Sequence, residues 1–200
     1  MRLRVPMADL VIRRADDRDL EAIASVHLKA YSRSHFTSRL PHAVLVRYYG
    51  LFLSDGVETW VAARDGGAGD IAGFAVFGRG IEARIRLFKE RNRAAILGSA
   101  LRHPAAAGGK VVRRLWTAAT HGPPVAVADF LLLSIAAADR GRGVGGRLLD
   151  CMINRARETG EPRVGLYVNA DNLPGINAYA TRGFLMRDLH GEQYYMELVL

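Results

Sequence analysis

Cysteine is almost absent from this sequence, which has one, Cys151, in 200 residues. A lone thiol forms neither an internal disulfide nor a site with several thiolate ligands, and it suits a reducing compartment. The six histidines show no metal-ligand spacing, so we predict no metal site. Cys151 lies on a predicted amphipathic helix, where we expect a small buried residue rather than a nucleophile.

Long apolar runs are also missing. No run approaches the roughly 20 residues that span a bilayer, and the first residues lack the apolar stretch of a signal peptide. We therefore expect a cytoplasmic protein, with Met7 as an alternative start. Half of the residues are hydrophobic, and a chain of this length buries about 70% of its unfolded surface. The composition predicts one folded domain over residues 1–200.

Acidic residues are scarce in one segment. The formal net charge is +8, and the stretch Arg79–Arg114 holds ten basic residues but only two acidic ones, Glu82 and Glu90. The remainder of the chain therefore has equal numbers of basic and acidic residues and no formal net charge. Such a segment is either a solvated helical face or a surface for an anionic partner.

The pattern of apolar residues predicts alternating strands and helices. Asp65-Gly66-Gly67 separates two β-rich runs, as in a hairpin. A loop of more than 40 residues would be unusual after that hairpin, so we expect helices within the basic insert, about 79–124. We predict strands over Leu10–Arg14, Glu58–Arg64, Ile71–Phe77, Val125–Ile135, Arg163–Val168, Phe184–Asp188 and Tyr194–Leu200. We predict further helices after Asp16 or Asp17, over His42–Phe52, from Val144 to Gly160 and over Pro174–Arg182.

The run Val125–Ile135 is almost continuously apolar, which is typical of a central strand buried on both faces. A glycine-rich turn and a helix follow it. Glycines there let backbone N–H groups approach a ligand, and a helix start adds partial positive charge. We therefore expect this turn to bind phosphate. The turn and the helix start hold Arg140, Gly141, Arg142, Gly143, Val144, Gly145, Gly146 and Arg147.

We compared this turn with two known phosphate-binding motifs, the dinucleotide fingerprint and the Walker A loop. Gly141, Gly143 and Gly146 match G-x-G-x-x-G, but four residues separate the predicted strand from the turn, and the next strand ends in asparagine rather than an acidic residue. A Walker A loop is excluded because no Gly-Lys-Ser or Gly-Lys-Thr occurs.

The turn instead resembles the acyl-CoA signature R/Q-x-x-G-x-G/A of the GNAT N-acyltransferase superfamily, with Arg140, Gly143 and Gly145 at its named positions. A second signature of that superfamily, N-x-x-A-x-x-x-Y-x-x-x-G-F, is matched from Asn172 to Phe184, with Gly175 in place of alanine. The resemblance is close over 125–200, loose over 10–77, and leaves 78–124 unexplained.

The resemblance implies the GNAT fold, an α/β (α+β) arrangement. Its central sheet is mixed and mostly antiparallel, has about six or seven strands, and is flanked by helices. Here a helical insert would lie between the third and fourth strands. The co-substrate would be acetyl-CoA, with no metal. The implied cofactor-binding residues are Leu133, Ser134, Ile135, Arg140, Gly141, Arg142, Gly143, Val144, Gly145, Gly146, Asn172 and Tyr179.

The implied reaction is direct attack of a primary amine on the thioester in a ternary complex. Tyr179 matches the general acid that protonates the departing thiolate. Asp129 lies near the position where many members carry a glutamate, and it is the candidate base. Two structural alternatives are a tyrosine that only packs on the sheet and a strand-end carboxylate paired with an arginine.

The acceptor is less defined by the sequence. Candidate lining residues are Tyr31, His35, Tyr48 and Tyr49, and a faint resemblance to members that serve surface-polysaccharide synthesis favours an amino sugar over a small amine or protein amine. The basic insert favours a phosphate-bearing acceptor or an anionic membrane surface over nucleic acid. A homodimer and a peripheral position at the inner membrane surface are compatible with this sequence. Alternative functions are a non-catalytic acyl-CoA-binding module and a dinucleotide-binding oxidoreductase.

Overall fold

Seven strands form one open sheet in the computed structural model, which describes residues 10–31, 36–64, 69–93, 126–138 and 141–200. The strands are β1 (Leu10–Arg14), β2 (Val57–Arg64), β3 (Ile71–Arg79), β4 (Phe130–Ala137), β5 (Arg163–Asn169), β6 (Leu185–His190) and β7 (Gln193–Val199). The α-helices are α1 (Leu20–Ala30), α2 (His42–Gly50), α3 (Ile81–Arg91), α4 (Val144–Glu158) and α5 (Leu173–Ala180).

The strand order across the sheet is β1-β2-β3-β4-β5-β7-β6. Every neighbouring pair is antiparallel except β4 and β5, which are parallel. The prediction of a mixed, mostly antiparallel sheet flanked by helices is therefore confirmed. Helix α3 lies in the predicted insert, whose remaining part, 94–124, is outside the described residues.

Helices cover the two faces of the sheet differently. On the first, which we call the α1 face, α1 and α2 pack on the middle strands with Tyr49, Phe52 and Phe74 in the core. On the second, the α4 face, Leu148 and Met152 lie fully buried against the same strands. The buried side of α4 confirms the amphipathic helix that the sequence predicts from Val144 to Gly160.

Strand β4 begins later than its apolar run predicts, at Phe130 rather than Val125. The reason is that side chains bond the preceding backbone. Arg163 donates to the carbonyl oxygens of Ala126 and Val127 at 3.1 and 3.3 Å. The Tyr195 hydroxyl accepts the N–H of Ala128 at 2.8 Å. These groups are satisfied without a neighbouring strand, so apolar composition alone placed the boundary wrongly.

The other boundaries lie within a few residues of their predicted positions. Asp16 and Asp19 form a capping box before α1, as the first acidic pair predicts. Strand β6 is shifted towards the C terminus, because the turn lies at 191–192. His190, which lies between the two predicted strands, is therefore the last residue of β6.

One residue of the basic segment belongs to the sheet. Arg79 is the last residue of β3, and its guanidinium donates two hydrogen bonds to the buried Glu161 carboxylate, at 2.8 and 2.7 Å. Arg79 therefore joins β3 to the segment before β5, and its charge is already compensated.

Candidate active site

Strands β4 and β5 separate in the middle of the sheet. Their ladder consists of three pairs, the last between Leu132 and Leu166. Beside this point the register of β4 against β3 shifts by one residue, so that Leu133 is a β-bulge. A bulge bends its strand, and β4 continues to Ala137 without β5 as a ladder partner. The result is a wedge-shaped opening between the two strands, which we call the splay.

The glycine-rich turn lies beyond the C-terminal end of β4. Gly141 and Gly143 have φ of 77° and 71°, in the region that favours glycine. Gly143 is the N-cap of α4, and no side chain caps this helix. The first amides of α4 therefore have no acceptor within the helix and carry partial positive charge. This is the anion-binding geometry that the sequence predicts for the turn.

The arginines around this turn have different roles. Arg140 is outside the described residues, and Arg142 is exposed. Arg147 donates to the carbonyl of Leu10 at 3.0 Å and so attaches α4 to β1. A Cβ on Gly146 would lie 3.0 Å from the guanidinium of Arg182. Gly146 thus makes room for Arg182, a structural reason for this glycine that the motif did not indicate.

Tyr31, at the end of α1, reaches the edge of the splay. Its hydroxyl donates to the carbonyl of Ile135 at 3.2 Å and lies 2.8 Å from the Ser134 hydroxyl. The structure thereby brings together Tyr31 and two of the residues predicted to bind the cofactor. Burial raises the pKa of Tyr31, although both hydrogen bonds oppose this. The phenol is therefore protonated at neutral pH.

Tyr179, on α5, is buried on the α4 face, with 8% of its surface exposed. Its hydroxyl has no hydrogen-bond partner among the described residues. Burial raises its pKa well above the ordinary tyrosine value, and the neighbouring Tyr31 raises it further. A phenol in this state carries its proton at neutral pH and can donate it.

Asn172 caps α5. Its Oδ1 accepts the N–H of Gly175 at 3.2 Å. A Cβ on residue 175 would lie 2.5 Å from the Asn172 Nδ2 atom. Position 175 is glycine here, whereas the superfamily signature has alanine. The missing Cβ leaves room for the Asn172 side chain over the start of α5. The structure shows a cap at Asn172, and its cofactor contact stays a prediction.

Asp129 directly precedes β4, at the end opposite to the glycine-rich turn. Its side chain is 85% exposed and lies 3.7 Å from Arg79. This is the strand-end ion pair that the sequence left open as an alternative to the catalytic base. The role of Asp129 as a base stays a prediction.

The four candidate acceptor residues do not form one group. Tyr48 and Tyr49 lie in the core of the α1 face, with 7% and 1% of their surfaces exposed, so the prediction that they line a pocket is wrong. The Tyr49 hydroxyl lies 2.6 Å from His27 Nδ1. His35 is outside the described residues, and only Tyr31 is placed beside the splay.

Sequence reasoning missed a polar group on the other side of the splay. Tyr167 follows the last β4–β5 pair directly and is 36% exposed. The rings of Tyr167 and His190 make an edge contact, with centroids 5.6 Å apart. His190 Nε2 lies 3.2 Å from an Asp188 carboxylate oxygen. The available signal was the alternation of β6, which places Asp188 and His190 on one face.

Cys151 is partly buried on α4. Burial raises the pKa of its thiol, which disfavours the reactive thiolate. Across the described ranges, no cluster of three or more His, Cys, Asp or Glu residues could hold a metal ion. In the same ranges, no helix has both the length and the apolar character needed to cross a membrane.

Solved structures of N-acetyltransferases share this arrangement of strands and helices. PaiA N-acetyltransferase from Thermoplasma acidophilum, in complex with coenzyme A, superposes with a TM-score of 0.61 and 16% identity, over 96% of this chain and 99% of that one. The ribosomal-protein-alanine N-acetyltransferase from Brucella melitensis superposes with a TM-score of 0.58 and 18% identity. This match covers 96% of this chain and 100% of that one. At these identities the comparison establishes a shared fold.

A family model matches part of the sequence. Residues 124–184 match the model of the acetyltransferase (GNAT) family, so this region of the chain is similar to that family's domain. The matched region contains β4, the splay, the glycine-rich turn and Tyr179. A mycothiol acetyltransferase from Corynebacterium aurimucosum is 40% identical over 65 residues, which are 32% of this chain and 21% of that protein. The chain spans about a fifth of the length of the curated relatives it matches.

Proposed function

We propose that this protein is an N-acetyltransferase that moves the acetyl group of acetyl-CoA to a primary amine. The observation that carries the proposal is the combination of the splay with two groups at its borders. The uncapped start of α4 suits a pyrophosphate, and the buried Tyr179 phenol suits a departing thiolate. The GNAT family match over residues 124–184 supports the same chemistry.

The chain's own residues have distinct tasks in this proposal. Backbone groups of Leu133 and Ile135 hold the amide-bearing arm of the co-substrate beside the unpaired part of β4. Arg140, Arg142 and the amides of Gly143 to Gly146 hold its phosphates. Ser134 positions Tyr31 at this edge, and Asn172 helps to fix the cofactor through the start of α5.

In the reaction, the amine nitrogen attacks the thioester carbonyl carbon and the carbon–sulfur bond breaks. The sulfur receives a proton from Tyr179, and the nitrogen loses two protons in total. An alkylamine with a pKa of about 10.4 is mostly protonated at pH 7, so exposing its lone pair costs about 4.6 kcal/mol. A base is therefore needed, and Asp129 acting through a water is the one that the sequence predicts.

Thiol release from acetyl-CoA tests the proposal. We expect release with at least one of glucosamine, spermidine, lysine and a peptide with a free N terminus. Tyr179→Phe should lower kcat by about 10²-fold with the Kd of acetyl-CoA unchanged, because only proton donation is removed. Binding of acetyl-CoA without turnover of any amine would favour the binding module. Thermal stabilisation by NAD but not by acetyl-CoA would favour the oxidoreductase.

The basic segment has a separate test. An anionic partner would contact the exposed Arg86, Lys89 and Arg91 of α3, which outnumber the two acidic residues of this helix, Glu82 and Glu90. Vesicles with anionic lipid should then bind the protein at low salt and release it at high salt. A lack of binding at low salt would leave a solvated helical face as the explanation.

A further inference from the structure

The polar group beyond the splay shares one face of the sheet with α1. In antiparallel pairs, residues directly opposite each other lie on the same face. Tyr167 is opposite Tyr195, and Tyr195 is opposite Asp188. Tyr195 belongs to the core of the α1 face, so Tyr167 and Asp188 lie on that face too. His190, two residues after Asp188, follows the same alternation.

Tyr167 connects this group to the splay. It is the first residue of β5 beyond the ladder with β4, so its ring borders the opening. The His190 ring makes an edge contact with it at 5.6 Å between centroids, and the angle between the ring planes is 71°. The imidazole therefore lies one aromatic ring away from the border of the splay.

Two carboxylates from different elements face Tyr167. Burial raises the pKa of its phenol, and the charges of Glu82 on α3 and Asp188 on β6 raise it further. The Asp188 carboxylate, on the same face as Tyr167, is a group that suits a cationic ammonium ion. Glu197 and Arg187 lie nearby, with Arg187 Nε 3.8 Å from Glu197 Oε1.

The Asp188 contact determines which imidazole nitrogen can take a proton. Nε2 of His190 lies 3.2 Å from the Asp188 carboxylate, which can accept a hydrogen bond from a proton on Nε2. Nδ1 then has a free lone pair. The His190 side chain is 37% exposed and Asp188 is 24% exposed, so a substrate can reach the ring.

We propose that His190, positioned by Asp188, is the base that takes a proton from the acceptor amine, which binds beside Tyr167 on the α1 face. This assignment rests on the acetyltransferase function proposed above. One ammonium proton passes to His190 Nδ1 and then to solvent, and the freed lone pair attacks the carbonyl carbon. The second proton lost by nitrogen balances the one that sulfur gains from Tyr179, so the step releases one proton overall. Asp188 acts through His190 and is a positioning residue.

The test uses the amine of the four-compound panel that the wild type turns over fastest. His190→Gln should lower kcat at pH 7 by about 10²-fold. The deficit should shrink towards pH 9, because the free-amine fraction grows with pH and needs the base less. The Kd of acetyl-CoA should not change. Leu189→Thr, on the same strand but the opposite face, is the matched control and should keep wild-type rates.

Asp188→Asn provides a second readout. Loss of the carboxylate removes the group that orients the imidazole, so kcat should fall while the KM for the amine and the Kd of acetyl-CoA stay unchanged. Asp188→Glu keeps a carboxylate and should recover part of the rate. A rise in KM with kcat unchanged, or no recovery with Asp188→Glu, would contradict the assignment.

Two further outcomes distinguish the two proposals. A wild type that turns over an amine while His190→Gln keeps its rate and pH profile would overturn the His190 assignment alone. The same holds if Asp129→Asn, and not His190→Gln, shows the pH-dependent loss. A wild type inactive towards the whole panel would overturn the proposed function and this assignment with it.

Discussion

The two faces of the sheet are held together in different ways. On the α4 face, aliphatic side chains such as Leu148, Met152 and Val164 fill the space without polar contacts. On the α1 face, buried polar groups are part of the core, among them Asp19 and His27. The difference indicates that buried hydrogen bonds add to apolar packing in stabilising the α1 face.

The candidate site uses both faces. Tyr179 approaches the splay from the α4 face, whereas Tyr31 and Tyr167 border it from the α1 face. The two proposals divide the chemistry in the same way, with proton donation to sulfur on one side and proton removal from the amine on the other. Separate changes on the two faces should therefore affect stability and activity differently.

The largest stability effect is expected on the α4 face. Leu148→Ala should lower the free energy of unfolding by about 3 kcal/mol, because it removes buried methyl groups and leaves a cavity. Urea denaturation measures this loss. The control, Leu173→Ala at an exposed position of α5, should change it by less than about 0.5 kcal/mol. A loss below about 1 kcal/mol for Leu148→Ala would show that this face can collapse to fill the gap.

A smaller effect is expected from the ion pair at the start of α1. Asp19 accepts hydrogen bonds from Arg13 at 2.7 and 2.8 Å and from the Asp16 and Gly69 amides at 3.1 and 3.3 Å. Asp19→Asn should cost about 2 kcal/mol at pH 7, less than for a fully buried pair because Arg13 is partly exposed. The exposed neighbour Asp17 provides the control variant, Asp17→Asn.

This ion pair also predicts a pH dependence. Burial alone would raise the pKa of Asp19, but the hydrogen bonds from Arg13 and the two amides lower it overall. The stabilisation is therefore complete above the unfolded value of about 3.9 and is lost as the pH falls through the lower folded pKa. The stability gap between wild type and Asp19→Asn should narrow below about pH 4. A gap that is constant with pH would contradict this assignment.

The smallest effect tests the hydroxyl network. Tyr49→Phe removes the partner of His27 Nδ1 and should lower the free energy of unfolding by about 1 kcal/mol. Tyr48→Phe is the matched control, because within the described part of the chain the Tyr48 hydroxyl has no hydrogen-bond partner. Equal losses in thermal or urea unfolding would show that ring packing, and not the hydroxyl, determines stability here.

Local sequence signals predicted most of the elements and the position of the glycine-rich turn. The apolar stripe of α4 and the glycines at 141 and 143 act within a few residues, so their patterns are visible in the chain. The start of β4 was misplaced because Arg163 and Tyr195, distant in sequence, bond the backbone before it. Apolar composition does not report such contacts.

The acceptor side of the site was harder to predict for the same reason. The contact between Tyr31 and Ser134 joins residues 103 positions apart. Tyr48 and Tyr49 lie in the region of the first two helices, as Tyr31 does, but their side chains are buried in the core. The group of Tyr167, Asp188 and His190 exists only because β7 lies between β5 and β6, and strand order is not written in any local pattern.

Side-chain hydrogen bonds hold the chain at both ends of the basic insert, and this suggests a place for inserting another domain. Arg79 bonds Glu161 at the end of β3, and Arg163 bonds Ala126 and Val127 just before β4. Both ends of the intervening chain are thus fastened to one short stretch, 161–163. Because the entropy of closing a loop grows only slowly with its length, we expect that a reporter domain inserted between positions 79 and 126 would leave the register of the sheet unchanged.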